Sequence, residues 1–208
     1  MNLQERIESG LASMKVELAP DAAARMAAHL ELVAKWNRVH NLTAVRETEQ
    51  MVVLHLMDSL SVLPHLGDAR SLVDVGTGAG FPGIPVAIAR PGLQVVVLDS
   101  SHKKATFLEQ VKAELGLANV RVACERVQEH RPAGGYDVVV SRAFSELADF
   151  VVQAGHLVAP RGRFLAMKGV YPFEEIARVP ATHRVSQVLE LAVPELEAKR
   201  HLVFLEPA

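Results

Sequence analysis

A single cysteine, Cys124, in 208 residues excludes an internal disulfide. Nor is there a surplus of one charge. The 24 acidic and 22 basic side chains leave a formal net charge of −2. That balance excludes a global electrostatic grip on naked nucleic acid, though not a local basic face. No apolar run approaches membrane-spanning length. The opening "MNLQERIESG" lacks the apolar core of a secretory signal. Internal repeats and low-complexity tracts are missing as well. What is present is a half-hydrophobic chain, enough for a sizeable core, with room for one domain and an extension or for two small domains. A cytoplasmic protein with no membrane partner is expected.

The first sixty-odd residues read as helices. "DAAARMAAHLELVAKWNRV", Asp21 to Val39, carries an apolar stripe at Met26, Leu30 and Val33, with Asp21 as N-cap and Asn41 just past the end. A further helix is expected from about Thr48 to Leu63, stopped by Pro64. From Ser71 the pattern changes. Short Val/Ile/Leu runs ("SLVDVG", "QVVVLDS", "NVRVAC", "YDVVVSRA", "GRFLAMKG") alternate with helical stretches, one of them closed by Gly116. This predicts a doubly wound, mainly parallel sheet covered on both faces. The last two runs, "HRVSQVLELAVP" and "RHLVFLE", have no helix between them and predict an antiparallel hairpin at one edge.

Between the first strand and its helix lies "VDVGTGAGFPGIP". Gly78, Gly80 and Gly83 satisfy G-x-G-x-x-G, and Asp99 ends the next strand, where a carboxylate can accept ribose hydroxyls. A dinucleotide and S-adenosylmethionine both carry such a ribose. Asp74 separates them, extending the pattern to D-x-G-x-G-x-G over Asp74, Gly76, Gly78 and Gly80. A carboxylate at that strand end would repel a pyrophosphate and suits the ammonium of a methionine moiety. No Lys-Ser or Lys-Thr pair follows the glycines, so a triphosphate-binding loop is excluded.

Arg142 in "VSRAF" and Lys168 in "AMKG" end the fourth and fifth strands, at the rim where open parallel sheets bind ligands. Alone, Arg142 reads equally well as an arginine paired with a surface carboxylate, and Lys168 reads rather better as an exposed strand-end lysine, but together they suggest an anionic substrate. "WNRVHNLTAV" places Asn37, His40, Asn41 and Thr43 between two helices, where Asn41 and Thr43 suit helix-end caps and Trp36 suits the core. His55 and Asp58 share a helix face but lack the further ligands a metal site requires, so no metal is expected. The remaining histidines, the charges of "SHKK" and Cys124 read as solvated or packed.

In combination, "WNRVHNLTAV", "HLMDSL", "DVGTGAGFPGIP", "LDS", "SRAF" and "MKG" resemble the RsmG family, also called glucose-inhibited division protein B. Its members are bacterial small-subunit ribosomal RNA guanine-N7 methyltransferases. Phe81 departs from the leucine of several members. The resemblance implies a Rossmann-like class I S-adenosylmethionine-dependent methyltransferase fold, with a seven-stranded sheet over residues 67–208. Residues 1–66 would be a helical extension capping the active site, with Asn41 and His55 walling the pocket. It further implies that Gly76 and Phe81 line the S-adenosylmethionine site, Asp99 holds the ribose, Val127 and Gln128 border the adenine, and Arg142 lies in the active site beside Lys168. The product would be S-adenosylhomocysteine. The substrate implied is the guanosine numbered 527, in the 530 loop of 16S ribosomal RNA, free or in a small-subunit particle, acted on by a monomer. A nicotinamide-dependent oxidoreductase is opposed by Asp74 and the terminal hairpin. A non-catalytic RNA-binding protein is opposed by the intact glycines and the basic strand ends.

Overall fold

The computed structural model describes residues 1–144 and 146–208. Helix α1 (Leu3–Ser13) opens with a capping box in which Asn2 Oδ1 accepts the Glu5 N–H and Glu5 accepts the Asn2 N–H. Helix α2 (Ala22–His40) buries Met26, Leu30 and Val33 completely. Asp21 does not cap it. Its backbone is already helical, so its carboxylate turns outward to pair with Arg25 at 2.8 Å. Asn41 ends α2 in the left-handed conformation, φ 47°.

The helix expected over residues 48–63 is interrupted. Helix α3 (Thr48–Met51) passes into a π-helical segment, Val52–Met57, and then α4 (Asp58–Leu60). The Asp58 N–H bonds back to the Val53 carbonyl, five residues earlier, so the turn is widened at the segment that carries His55. A 3-10 turn with Pro64 follows, over Leu63–His65.

Strand β1 (Ser71–Val75) leads into α5 (Gly83–Ala89), β2 (Gln94–Leu98) into α6 (His102–Glu114), and β3 (Val120–Ala123) and β4 (Tyr136–Ser141) follow. Helix α7 (Leu147–Ala154), β5 (Val158–Lys168), α8 (Phe173–Ala177), β6 (His183–Leu191) and β7 (Arg200–Pro207) complete the chain. The seven strands lie in the order β3-β2-β1-β4-β5-β7-β6. The first five are parallel, and β7 runs antiparallel between β5 and β6.

Strand alternation assigns side chains to two cores. Leu72, Val95, Val97, Val138 and Val140 face α5, α6 and the N-terminal helices in one continuous cluster. Val73, Val96, Leu98, Val139 and Phe164 face α7. Phe107, Phe150 and Phe164 are fully buried, each worth roughly 1.5–3 kcal/mol over exposure. Because β7 runs against its neighbours, its first residue, Arg200, stands at the same rim as the last residues of β4 and β5.

Candidate active site

The glycine loop leaves β1 at Val75 and is held from behind by hydrogen bonds. Leu98 O accepts the Gly76 and Thr77 N–H groups at 2.8 and 3.2 Å. Asp99 Oδ2 accepts the Gly78 N–H at 3.1 Å, and His29 Nε2 on α2 meets Ala79 O at 2.9 Å. A carbonyl only accepts, so Nε2 carries the His29 proton. Burial lowers the pKa of this ring to about 4, keeping it neutral. Gly76 has φ +70°, and a β-carbon there would lie 2.7 Å from Ala143 Cβ. Only glycine fits that approach. A β-carbon at Gly78 would meet only the Gly76 carbonyl, at 4.0 Å, and would stand in the open cleft.

Asp74 does not reach that cleft. Its place in β1 puts its side chain on the α5 face with Leu72, fully buried, rather than at the strand's open end. Oδ2 accepts the Thr77 hydroxyl at 2.6 Å and the Gly83 N–H at 2.8 Å, tying the loop to the start of α5. Oδ1 has no hydrogen-bond partner among the described residues. Burial pushes the carboxyl up to about 6. Asp74, expected to face a ligand's ammonium, thus lines neither cavity and shapes the loop from behind.

Two cavities open at the carboxyl rim and share Gly76 and Ala143. The first, about 700 Å³, is lined by Asp99, Val127 and Gln128, together with His102, Lys104 and Cys124. Asp99 Oδ1 accepts the Ser101 N–H, and Oδ2 also takes Lys104 Nζ at 3.1 Å. Three of about four acceptor sites on this carboxylate are thus engaged by the protein. Gln128 donates to Gln153 at 2.9 Å. The Cys124 thiol lies 3.2 Å from His102 Nδ1. A nucleoside fits this cavity: it has a carboxylate for hydroxyls, an apolar side chain, and a glycine wall where a β-carbon would collide.

The second cavity, about 560 Å³, gathers residues from distant parts of the chain: Thr43, His55, Asp58, Phe81, Arg142 and Arg200 among them. At its base Asp58, nearly buried, accepts Arg142 Nη1 at 2.9 Å on one oxygen and Arg200 Nε at 3.1 Å on the other. Two guanidiniums on one carboxylate leave a net positive floor with donors to spare. Arg142 also lies over the Phe81 ring, 5.6 Å from its centroid. His55 packs against the same ring at 4.9 Å, and His29 lies 4.8 Å from it. Burial, helped by the Arg142 charge, lowers the His55 pKa to about 4. Its Nδ1 donates to Leu54 O at 3.1 Å, so Nε2 accepts from Thr43 Oγ1 at 2.7 Å. Both nitrogens of this neutral ring are in use, and no lone pair remains for abstracting a proton.

Lys168 lines the second cavity but is held in an ion pair, 2.7 Å from Glu175, and donates to Phe144 O. Asn41 lies outside both cavities. It is exposed and accepts from Arg46. The neighbouring loop is ordered by buried Asn37, which takes the Thr43 N–H and donates to Val45 O. The structure thus brings Gly76, Asp99, Val127 and Gln128 around one cavity, and Gly76, Gly78, Phe81, His55, Arg142 and Lys168 around the other. Sequence reasoning missed Arg200 and the role of Asp58. The hairpin signal held the clue to Arg200, since an antiparallel last strand must begin where the parallel ones end. Among the described residues, no group of three or more His, Cys, Asp or Glu side chains could hold a metal. Nor, among the described residues, is any helix long and apolar enough to cross a membrane.

A family model described as rRNA small subunit methyltransferase G matches residues 22–203. The chain is 53% identical to the ribosomal RNA small subunit methyltransferase G of Nitrosospira multiformis, over all of this chain and 99% of that one. It is 54% identical to the protein of the same name from Aromatoleum aromaticum, over 96% and 97% of the two chains. Among solved structures it is similar to the O-methyltransferase TomG of Streptomyces achromogenes, with TM-score 0.63 at 15% identity over both whole chains. A SAM-dependent methyltransferase from Aquifex aeolicus gives TM-score 0.58 at 22% identity, over 72% and 90%. At such identities the likeness carries the fold alone: a Rossmann-like class I methyltransferase sheet, with the terminal antiparallel hairpin.

Proposed function

The chain belongs to the rRNA small subunit methyltransferase G family, and on that premise we propose that it methylates N7 of the guanosine numbered 527 in 16S ribosomal RNA. It is an S-adenosylmethionine-dependent rRNA methyltransferase. The observation that best supports the finer reading is the pair of cavities meeting at Gly76 and Ala143. One suits a nucleoside, and the other is cationic and holds no free base.

S-adenosylmethionine, when bound, supplies an electrophilic methyl group and leaves as S-adenosylhomocysteine. Asp99 would accept ribose hydroxyls, using its remaining acceptor site and the place now held by Lys104. Val127 and Gln128 would border the adenine. The backbone of Gly76 and Gly78 and the Phe81 ring would carry the donor across to the second cavity, with Asp74 fixing the loop behind them. Gly80, expected at the donor, lines neither cavity and instead packs closely against Ile84, Leu108 and His29.

Guanine N7 has an in-plane lone pair and no proton to lose, so the reaction needs no general base. Neutral, fully bonded His55 agrees with that demand. The protein's work is alignment, which supplies roughly 7–11 kcal/mol in well-oriented systems. Arg142 and Arg200, held apart by Asp58, would orient the nucleotide through its O6 edge and phosphate. Lys168 would contribute positive potential from the wall. Residues 1–66 act as a cap on the methyltransferase domain of residues 67–208, supplying His55, Thr43 and Asp58. We place the enzyme in the cytoplasm as a monomer, acting on the RNA or a small-subunit particle. The test is to map N7-methylguanosine in 16S ribosomal RNA from cells with and without the gene. Loss of the modification at position 527 is expected, and its persistence would refute the assignment.

A further inference from the structure

Beyond Lys168 the chain leaves the sheet as Gly169-Val170-Tyr171-Pro172-Phe173, and Gly169 still lines the second cavity. Val170, Tyr171 and Phe173 are 77, 40 and 75% exposed, three of the six exposed large apolar side chains among the described residues. Single exposed apolar residues need no explanation, but three within four positions beside a cavity do. A phenylalanine left 75% exposed forgoes most of the stabilisation that burial would give it.

The segment is also held firmly. The Phe173 N–H bonds to Tyr171 O, and the two rings lie 4.2 Å apart between centroids. The Tyr171 ring meets the His201 ring edge-on at 5.6 Å, next in sequence to Arg200. Glu175, in the first turn of α8, is tied both to Lys168 and to the Leu147 N–H. Tyr171 stands two positions, at most about 7 Å of extended chain, from cavity-lining Gly169. A pinned aromatic pair therefore stands within a short reach of the net positive floor made by Arg142, Arg200 and Asp58.

We propose that Tyr171 and Phe173 form a stacking platform for an unpaired ribosomal RNA base adjacent to the target guanosine, whose phosphate faces Arg200. Aromatic faces beside a cationic groove are the means by which proteins hold splayed single-stranded bases. The near-zero net charge of the chain adds to the case, because affinity not drawn from many phosphates must come from such local contacts. A second copy of the chain would cover the apolar faces without calling on the guanidiniums recessed at the cavity floor, whereas a nucleotide reaches both. The proposal rests on the reading of this protein as an rRNA methyltransferase.

The test is steady-state methylation of small subunits from cells lacking the gene, comparing the wild-type chain with Tyr171→Ala/Phe173→Ala and with Phe173→Leu, which keeps an apolar side chain and loses the ring. Both variants should raise KM for the particle, the double variant roughly tenfold or more. Donor affinity and melting temperature should stay unchanged, and Phe173→Trp should restore KM. A wild-type KM in the double variant would overturn the platform while leaving the methyltransferase reading intact. So would a wild-type KM in Phe173→Leu, or loss of a wild-type dimer in sedimentation of the double variant. A wild-type chain that methylates no subunit would instead defeat the underlying reading.

Discussion

The two cavities are built by opposite means. The cavity assigned above to the methyl donor comes mostly from the successive ends of β1, β2 and β3, closed by Ala143, Phe144 and Gln153, and it leans on backbone: a glycine loop, strand ends, and N–H groups collected by Asp99. The cavity assigned to the acceptor shares the glycine loop but adds residues 42–58, Arg142, Lys168 and Arg200, joined by side-chain pairs across gaps as long as 142 residues. One side depends on local chain geometry. The other depends on tertiary assembly, and so on the packing of the helical extension against the sheet.

That contrast gives its largest expected effect at Gly76. Gly76→Val forces a β-carbon against Ala143 at a positive φ, which costs about 1–2 kcal/mol from the backbone alone before the clash. Calorimetry with S-adenosylmethionine should show binding abolished. Partial recovery is expected in Gly76→Ala/Ala143→Gly, which relieves the contact but not the φ. Undiminished binding in Gly76→Val would break the donor half of the comparison.

On the acceptor side, Asp58→Ala leaves Arg142 and Arg200 without their shared carboxylate. Stability should fall toward the low end of the about 3–5 kcal/mol typical of a broken buried pair, because the arginine side chains remain 24 and 22% exposed. Turnover should fall much further than donor affinity. Equal losses in both would mean that the cavities are not separable.

Acid should reveal a smaller effect common to both sides. His29 braces the glycine loop and His55 walls the acceptor cavity, each with a folded pKa of about 4 against an ordinary 6.5. Between those values the unfolded chain binds protons that the folded one refuses, so stability falls as pH drops from 6.5 to 4. Asp74 acts in the opposite sense. Raised from 3.8 to about 6, its contribution is complete below 3.8 and is lost as pH rises through 6. Two groups against one leave net acid destabilisation. Melting temperature against pH should show it, and His29→Gln should flatten the slope; an unchanged slope would contradict the assignment of that buried ring.

The smallest effect is expected at Gln128. Its contact with Gln153 is exposed, so Gln128→Ala should weaken donor binding by less than about tenfold, the scale of one neutral hydrogen bond. KM for the RNA should not move.

The same contrast decides what could be read from the sequence. The mainly parallel sheet, its terminal hairpin and the glycine loop with Asp99 follow from apolar runs, glycine spacing and strand ends, which are local signals, whereas Val127 and Gln128 came only through the family resemblance. Asp74 shows where a local signal misleads: D-x-G places it near the loop, but strand alternation turns it beneath α5. Asp58 and His55 were visible as neighbours on one helix face, yet the partners of Asp58 lie 84 and 142 residues away. Lys168 read as a rim cation, and nothing in the sequence announced Glu175 beside it. The π-helical turn at residues 52–57 has no residue signature such as proline or glycine.

The most direct test of the division between the cavities is single-turnover methylation of small subunits by Arg142→Ala, saturated with S-adenosylmethionine, with donor affinity measured on the same preparation. The account predicts a rate reduced by roughly a hundredfold, the cost of losing reactant alignment, with donor binding largely retained. A near wild-type rate, or a loss explained entirely by weaker donor binding, would contradict it.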